Sequence, residues 1–194
     1  MSDRFERAIA AIDAANADDP VRIEVDGRLR PKELVHAEAV TRWLAAVDPD
    51  ADELQRLAAR AHHLRRWVAP RSDYPDGRAG YLRWRTDHKK RQAAEVASIL
   101  AAEGYADEEA ARVAAIVAKR GLGRDADVQA HEDALCLAFL ELQLDPVARQ
   151  LGHDRAVAVL RKTLAKMSPR ALELAGTVEL SPEGAALLAE AVDA

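Results

Sequence analysis

Histidines and carboxylates fall in this sequence where they could assemble a metal site. Four of the six histidines, His36, His62, His63 and His131, lie on otherwise apolar helical stretches, so their rings can point inward. Imidazole and carboxylate groups are ligands for divalent Mn, Fe, Co, Ni and Zn, and several facing one cavity are what metal-assisted hydrolysis requires. These residues predict a histidine and carboxylate cluster built from three separated helices. The alternative is that each histidine only forms hydrogen bonds within the core.

A basic segment follows the His62-His63 pair and is suited to a phosphorylated ligand. The planar guanidinium group of arginine matches phosphate, while lysine adds charge without fixed geometry. The predicted substrate-binding residues are Arg78, Tyr81, Arg83, Arg85, His88 and Lys89. Arg83 and Arg85 can face one ligand if this stretch is extended, whereas in a helix they diverge by about 200°. Ordinary solvated surface charge is the alternative interpretation.

The composition indicates a globular protein with no general attraction to nucleic acid. The chain of 194 residues is 49% hydrophobic and has a formal net charge of −5, whereas nucleic-acid binding depends on cations that neutralise phosphates. A local basic groove for RNA stays open but is not favoured. We recognise neither a signal peptide nor an apolar stretch of roughly 20 residues, so we expect a cytoplasmic protein with no membrane partner. The single cysteine, Cys136, is expected to be a buried, unreactive thiol.

Helical periodicity dominates the chain and predicts an all-α fold. Aromatic residues make up only 4%, and the abundant Ala, Leu and Val favour helices packed through small side chains over a sheet. At most one short extended segment is expected, near residues 21–26. Helices are predicted at 3–15, 31–47, 51–68, 81–104, 107–121, 126–143, 154–167, 169–175 and 182–192, with an irregular segment at 69–80. Together they predict one compact helical domain spanning residues 1–194.

The order of the histidines and one carboxylate resembles the HD-domain superfamily of metal-dependent phosphohydrolases. His36, the pair His62-His63 and then Asp133 follow that superfamily's pattern of H, HD and D. The resemblance implies an HD-like helical core over about residues 30–140, with the helices of 154–192 packed on it. It also implies one or two divalent metal ions, with His36, His62 and Asp133 as ligands and His63 in the position of the missing acid.

His63 marks a departure from that pattern, because the superfamily has an aspartate at this position. A histidine can ligate a metal but cannot bridge two metals as a carboxylate does. The change favours a site with one metal, a different metal preference or no metal. Glu132, which precedes Asp133, is a candidate general base. The alternative for Glu132 is a solvated acid in the first turn of a helix, stabilised there by the helix dipole.

Three longer segments are similar to the family called domain of unknown function 4202. They are AHHLRRW (61–67), YPDGRAGYLRWR (74–85) and HEDALCLAFLE (131–141). This second resemblance supports the helical fold and leaves the reaction open.

Our leading hypothesis is a metal-dependent hydrolase of a phosphate ester or anhydride, acting on a small phosphorylated metabolite or a nucleotide. One alternative is an iron oxygenase, because HD-like folds also carry di-iron oxidation chemistry and histidine-rich ligation suits iron. The other is a non-catalytic module that binds a phosphorylated ligand or RNA through the basic segment. The histidine at position 63 is the feature that most favours this second alternative.

Overall fold

The computed structural model describes residues 2–192 and is almost entirely helical, which confirms the predicted all-α fold. Met1, Asp193 and Ala194 of the predicted domain lie outside the described residues. The helices are α1 (Asp3–Ala17), α2 (Lys32–Val47), α3 (Glu53–Arg60), α4 (Gly77–Ala102), α5 (Asp107–Val117), α6 (Ala126–Leu151), α7 (His153–Leu164), α8 (Pro169–Ala175) and α9 (Pro182–Val192). Within residues 2–192, no helix has the length and apolar character needed to cross a membrane.

A two-stranded hairpin follows α1, where the sequence predicts at most one extended segment near residues 21–26. Strands β1 (Arg22–Val25) and β2 (Arg28–Pro31) pair in antiparallel fashion. Asp26 and Gly27 form the turn with φ of 52° and 71°, and an Asp-Gly pair with positive φ suits the twist of a tight hairpin. The prediction misses β2 because RLRP has no alternating apolar face, and Leu29 is indeed 73% exposed.

Asp19 connects this hairpin to the first turn of α2. Its carboxylate oxygens accept hydrogen bonds from the backbone N–H of Val21 and of Glu33, each at 2.9 Å. Asp19 is buried, and hydrogen bonds to a charged acceptor are stronger than those between neutral groups. This contact fixes the start of α2 and so the orientation of Glu33 and His36.

The predicted helix at 51–68 is wrong in its second half, because the chain leaves α3 after Arg60. His63 and Arg65 adopt left-handed backbone conformations with φ of 63° and 46°, which are uncommon outside glycine. The side-chain oxygen of buried Asn16 accepts a 3.0 Å hydrogen bond from the Arg65 amide. The Arg91 guanidinium donates to the Arg65 carbonyl oxygen at 2.9 Å. Polar contacts from two other helices therefore hold a turn that is unfavourable by itself.

Helix α3 ends at Arg60 and α4 begins at Gly77, so the connection spans 61–76 and both begins and ends earlier than the predicted irregular segment 69–80. Two short 3-10 turns, Arg66–Val68 and Arg71–Asp73, fill the connection from α3. The arginine-rich stretch is therefore helical. Tyr81, Arg85 and Lys89 follow one another at intervals of four residues and lie on the same face.

Helices α5 and α6 also end at positions other than those predicted. α5 stops at Val117 rather than 121, and Lys119 then takes a left-handed φ of 57°. α6 continues to Leu151 rather than 143 and includes Pro146. Leu144 and Ala148, on either side of the proline, are buried against the C-terminal helices, so packing outweighs the missing backbone donor. The result is a long helix that packs against α2 and against α7 to α9.

Gly80 allows the close approach that begins α4, and replacing it with alanine is expected to destabilise the protein. A Cβ atom there would lie 1.8 Å from the carbonyl oxygen of Pro75. The alanine should cost about 1–3 kcal/mol of unfolding free energy, as overpacked sites do, although alanine normally favours a helix. Urea unfolding of Gly80→Ala measures this cost. Gly176→Ala is the matched control, because its Cβ would meet no atom closer than 3.4 Å. Equal stability of the two variants would refute the Pro75 contact.

Candidate functional site

A cavity of about 310 Å³ lies between α2, the turn after α3, α4, α6 and α7. Four imidazoles line it, from His36, His62, His63 and His88. Five cationic side chains line it as well, and they are Arg66, Arg85, Lys89, Lys119 and Lys166. The volume is at the lower end of the range typical of small-molecule sites. The cavity therefore combines metal-type ligands with groups that attract an anion.

The histidines form a buried cluster of neutral rings. The ring centroids of His36 and His63 are 4.5 Å apart and nearly parallel, and those of His62 and His63 are 4.2 Å apart. His131 meets the edge of His62 at 5.2 Å. Burial lowers the pKa of His36 and of His131 to about 3, and it also holds the pKa values of His62 and His63 well below their ordinary value. Neutral imidazole is the form that ligates a metal.

The turn after α3 explains how two consecutive histidines share one cavity. Consecutive residues within an α-helix point about 100° apart. His62 and His63 follow the end of α3, and the left-handed backbone at His63 turns its ring toward that of His36. The sequence predicts the cluster, but not the turn that assembles it.

Glu33 joins His36 and His63 in a group that could hold a metal ion. One ligand atom from each of the three residues lies within 4.8 Å of the other two. Glu33 and His36 are three residues apart on α2 and project from the same face. Among the described residues, neither Oε2 of Glu33 nor Nδ1 of His36 has a hydrogen-bond partner, although both are buried. Unsatisfied buried oxygen and nitrogen atoms of ligating type fit a divalent cation.

Burial also affects the charge of Glu33. The carboxylate is 5% exposed, and burial raises the pKa of Glu33 to about 7 despite the nearby charges of Arg66 and Lys32. Its Oε2 lies 3.3 Å from Nδ1 of His63. Nε2 of His63 is in contact with the guanidinium of Arg66. Glu33, His63 and Arg66 thus form a row of polar groups that reaches the cavity at His63 and Arg66.

On another wall, Glu132 is held between two lysines. Its Oε2 lies 2.5 Å from Nζ of Lys119, and its Oε1 accepts a 2.9 Å hydrogen bond from Nζ of Lys166. Burial alone would raise the pKa of Glu132, but the two lysines outweigh it and lower the pKa to about 2. A carboxylate with so low a pKa is a weak proton acceptor at neutral pH, which argues against the predicted role as a general base.

Helix α4 brings four of the six predicted substrate-binding residues to the cavity. Tyr81, Arg85, His88 and Lys89 line it, while Arg78 and Arg83 do not. Arg83 is on another face of the helix, 75% exposed and 3.8 Å from Asp87. Because the stretch is helical, Arg83 and Arg85 diverge, as the sequence argument requires. His88 is already bonded to the carbonyl oxygen of Ala69 at 2.7 Å and packs on Trp84, so its role is largely structural.

The structure does not bring the predicted ligand Asp133 to the cavity. Its carboxylate Oδ1 accepts hydrogen bonds from the side chain of Gln129 at 2.9 Å and from the backbone N–H of Ser168 at 3.0 Å. Asp133 is buried and stabilises the start of α8. His131 and Glu132, its neighbours in the sequence, are the residues of this segment that approach the histidine cluster and the cavity.

Residues from His36 to Lys166 line this cavity. A family model described as Domain of unknown function (DUF4202) matches residues 6–188. The chain belongs to this family. No curated protein and no solved structure matches it. Membership of the DUF4202 family accounts for the three segments that resemble it, and it assigns no reaction to the cavity.

The sequence does not predict several residues in and beside the cavity of this DUF4202 protein. Glu33 could have been found, because it precedes His36 by three residues on the same helix. Arg66 follows His63 by three residues, a spacing that also places two side chains on one face of the predicted helix. The sequence explains Lys119 by its place near a helix C-terminus, but the structure buries it beside Glu132. Lys166 carries no local signal, since only the packing of α7 on α6 brings it to the cavity.

Proposed function

We propose that this protein is a metal-dependent hydrolase of a phosphate ester or anhydride in a small phosphorylated molecule. The observation that carries the proposal is that His36 and His63, which form a ligand-type group with Glu33, line the same cavity as five cations. Metal ligands and phosphate-binding cations side by side are the combination that metal-assisted phosphoryl transfer uses.

Glu33, His36 and His63 would hold the metal ion in this site. Two imidazoles and one carboxylate suit Mn, Fe, Co, Ni or Zn. When bound, the ion would supply a Lewis acid for a phosphoryl oxygen. Membership of the HD-domain superfamily is part of the proposal, with a changed ligand set, because Asp133 lies outside the cavity and His62 lies outside the group. The carboxylate missing at position 63 is replaced by Glu33, which comes from the helix of the first histidine.

Arg66 has a different role in the two forms of His63. With Arg66 donating to Nε2, the neutral ring of His63 carries its proton on Nδ1. If His63 ligates through Nδ1, the atom nearest Glu33, the proton belongs on Nε2 instead. Nε2 of His63 and the guanidinium of Arg66 would then both be donors, so Arg66 would leave this contact and point into the cavity. There its guanidinium can receive a phosphate group.

The remaining cations would hold and orient the phosphorylated molecule. Arg85 and Lys89 bring positive charge to the cavity from α4. Lys119 and Lys166 bring it from either side of the Glu132 carboxylate. Glu132 fixes the two lysine ammonium groups in place without taking a proton. Trp84 packs under Arg66 at 4.9 Å, which restricts the guanidinium to the cavity wall.

Elemental analysis of protein purified without an affinity tag tests this proposal, together with assays on a panel of phosphate monoesters and anhydrides after loading with each candidate metal. We expect near-stoichiometric metal and hydrolysis of at least one compound. Glu33→Gln should lose both. Glu38→Gln is the matched control, because Glu38 lies on the same helix but pairs with Arg30. Absence of metal in wild-type protein, even after reconstitution, would reject the proposal.

The contact between Arg66 and His63 favours one other function, a phosphate-binding module without catalysis. In that case Arg66 remains in contact with Nε2 of His63, and Nδ1 of His63 stays 3.3 Å from Oε2 of Glu33 without a metal between them. Metal-free protein that binds phosphorylated compounds without hydrolysing them would support this second function.

Asp133→Ala is expected to keep the metal and to lose stability. The carboxylate stabilises the backbone N–H of Ser168 and lies outside the cavity, so its removal should cost about 1–3 kcal/mol for an unsatisfied buried donor. Elemental analysis and urea unfolding of the same preparation separate the two effects. Loss of metal in folded Asp133→Ala would restore Asp133 to the ligand set.

A further inference from the structure

The cavity holds more positive charge than one phosphate group would neutralise. Of its five cations, Lys119 and Lys166 share the single carboxylate of Glu132. Within residues 2–192, Arg66, Arg85 and Lys89 have no carboxylate at salt-bridge distance. One phosphate group carries about −1.5 to −2 charges at neutral pH. Partly buried cations without counter-ions repel one another strongly, because the surroundings screen their charges poorly.

These cations extend from one side of the cavity to the other. Arg66 lies beside the Glu33, His36 and His63 group, in contact with Nε2 of His63. Arg85 is close enough to interact electrostatically with Arg66 and also with Lys89 and Lys166. The charge therefore forms a continuous row from Arg66, beside the candidate metal ligands, through Arg85 to Lys89 and Lys166.

Glu132 explains why the far end of this row is suited to binding rather than to chemistry. Its two oxygens each hold one lysine, so the ammonium groups are fixed on either side of the carboxylate. Two lysines around one carboxylate leave one positive charge in excess, and Lys89 adds a second. That excess matches one further phosphate group.

We propose that the molecule bound in this cavity carries two phosphate groups, either joined as a diphosphate or separated as a bisphosphate. One phosphate lies at Glu33, His36 and His63 beside Arg66, and the other is held by Lys89 and Lys166, with Arg85 between them. The placement of the first phosphate rests on the proposed function, whereas the placement of the second does not. The second phosphate is recognised by cations, whether or not metal is bound.

Calorimetric titration with three probes tests the inference, namely inorganic phosphate, methylene diphosphonate and fructose 1,6-bisphosphate. The His36→Ala variant is used beside the wild type, because diphosphonates chelate metals and the variant should lack the metal. In both proteins we expect at least one two-phosphate probe to bind about tenfold or more tightly than inorganic phosphate, as an additional charge-assisted contact predicts. Preference for the diphosphonate would identify adjacent phosphates, and preference for the sugar would identify separated ones. Equal affinity for all three probes would overturn the inference.

Arg83 and Arg85 provide a matched pair of variants for the same titration. Arg85→Gln should weaken the two-phosphate probe about tenfold or more, with little change for inorganic phosphate. Arg83→Gln removes the same charge from the exposed face of the same helix and should change neither. Equal effects of the two variants would overturn the inference, because probe binding would then depend on the overall surface charge and not on the position of Arg85. Wild-type protein that takes up no metal, even after reconstitution, but still prefers a two-phosphate probe would reject the proposed hydrolase while keeping this inference.

Discussion

Replacing His36 with alanine is expected to remove the bound metal and to lower phosphate hydrolysis by at least about 100-fold. His36 contributes a buried nitrogen with no hydrogen-bond partner to the group it forms with Glu33 and His63. Loss of a residue that only supports a metal ligand typically costs about 10–100-fold in metal affinity or activity, and a ligand should cost more. Elemental analysis and kcat/KM on the best compound of the panel measure the two effects.

His153→Ala is the matched control for this experiment. His153 is 59% exposed as a side chain and pairs with Glu190 on α9, far along the chain from the cavity residues of α2. The same substitution there should leave both metal content and kcat/KM unchanged. If folded His36→Ala retains its metal, His36 is a core histidine and the candidate ligand group is wrong.

Replacing Glu132 with glutamine is expected to cost about 3 kcal/mol of unfolding free energy at neutral pH. The substitution leaves Lys119, a largely buried ammonium group, without its counter-ion, and breaking a buried pair by removing one partner typically costs about 3–5 kcal/mol. Lys166 is half exposed, so water recovers part of its loss and the lower end of this range applies. Urea unfolding at pH 7 measures the difference from wild type.

The same difference should disappear in acid, and its direction follows from the pKa of Glu132. The two lysines hold that pKa at about 2 in the folded protein, below its ordinary value. The stability that Glu132 contributes is therefore complete above pH 5 and is lost as the pH falls toward 2. The unfolding free energies of wild type and Glu132→Gln should therefore become equal as the pH falls over this interval. Glu173→Gln, at an acid that is 70% exposed, should differ from wild type by less than about 0.5 kcal/mol at every pH. A difference in unfolding free energy between wild type and Glu132→Gln that stays constant down to pH 2 would refute the ion pairs of Glu132 with the two lysines.

Local patterns were sufficient to predict the helical fold and part of the candidate site. The apolar periodicity around His36, His62 and His131 places these rings inward, and the structure brings them together. The ends of helices are harder to predict from local patterns, because α3 stops at contacts made by Asn16 and Arg91, which are distant in sequence.

The chemistry around the cavity depends on long-range packing in the same way. Asp133 fits the HD pattern in sequence, but the packing of α8 against α6 directs its carboxylate to Ser168. Lys166 contacts Glu132, which lies 34 residues earlier in the sequence, and no local spacing predicts that contact. Glu33 is the exception, since its distance of three residues from His36 is visible in the sequence.

The left-handed backbone at position 63 bears on how this site can change by mutation. Aspartate and histidine are both enriched at positive φ relative to other residues, so the turn accepts either side chain at a similar backbone cost. The identity of residue 63 is then free to follow ligand chemistry rather than the demands of folding. In a site of the proposed kind, exchange between the two is a single evolutionary step that trades a nitrogen ligand for an oxygen ligand and leaves the scaffold intact.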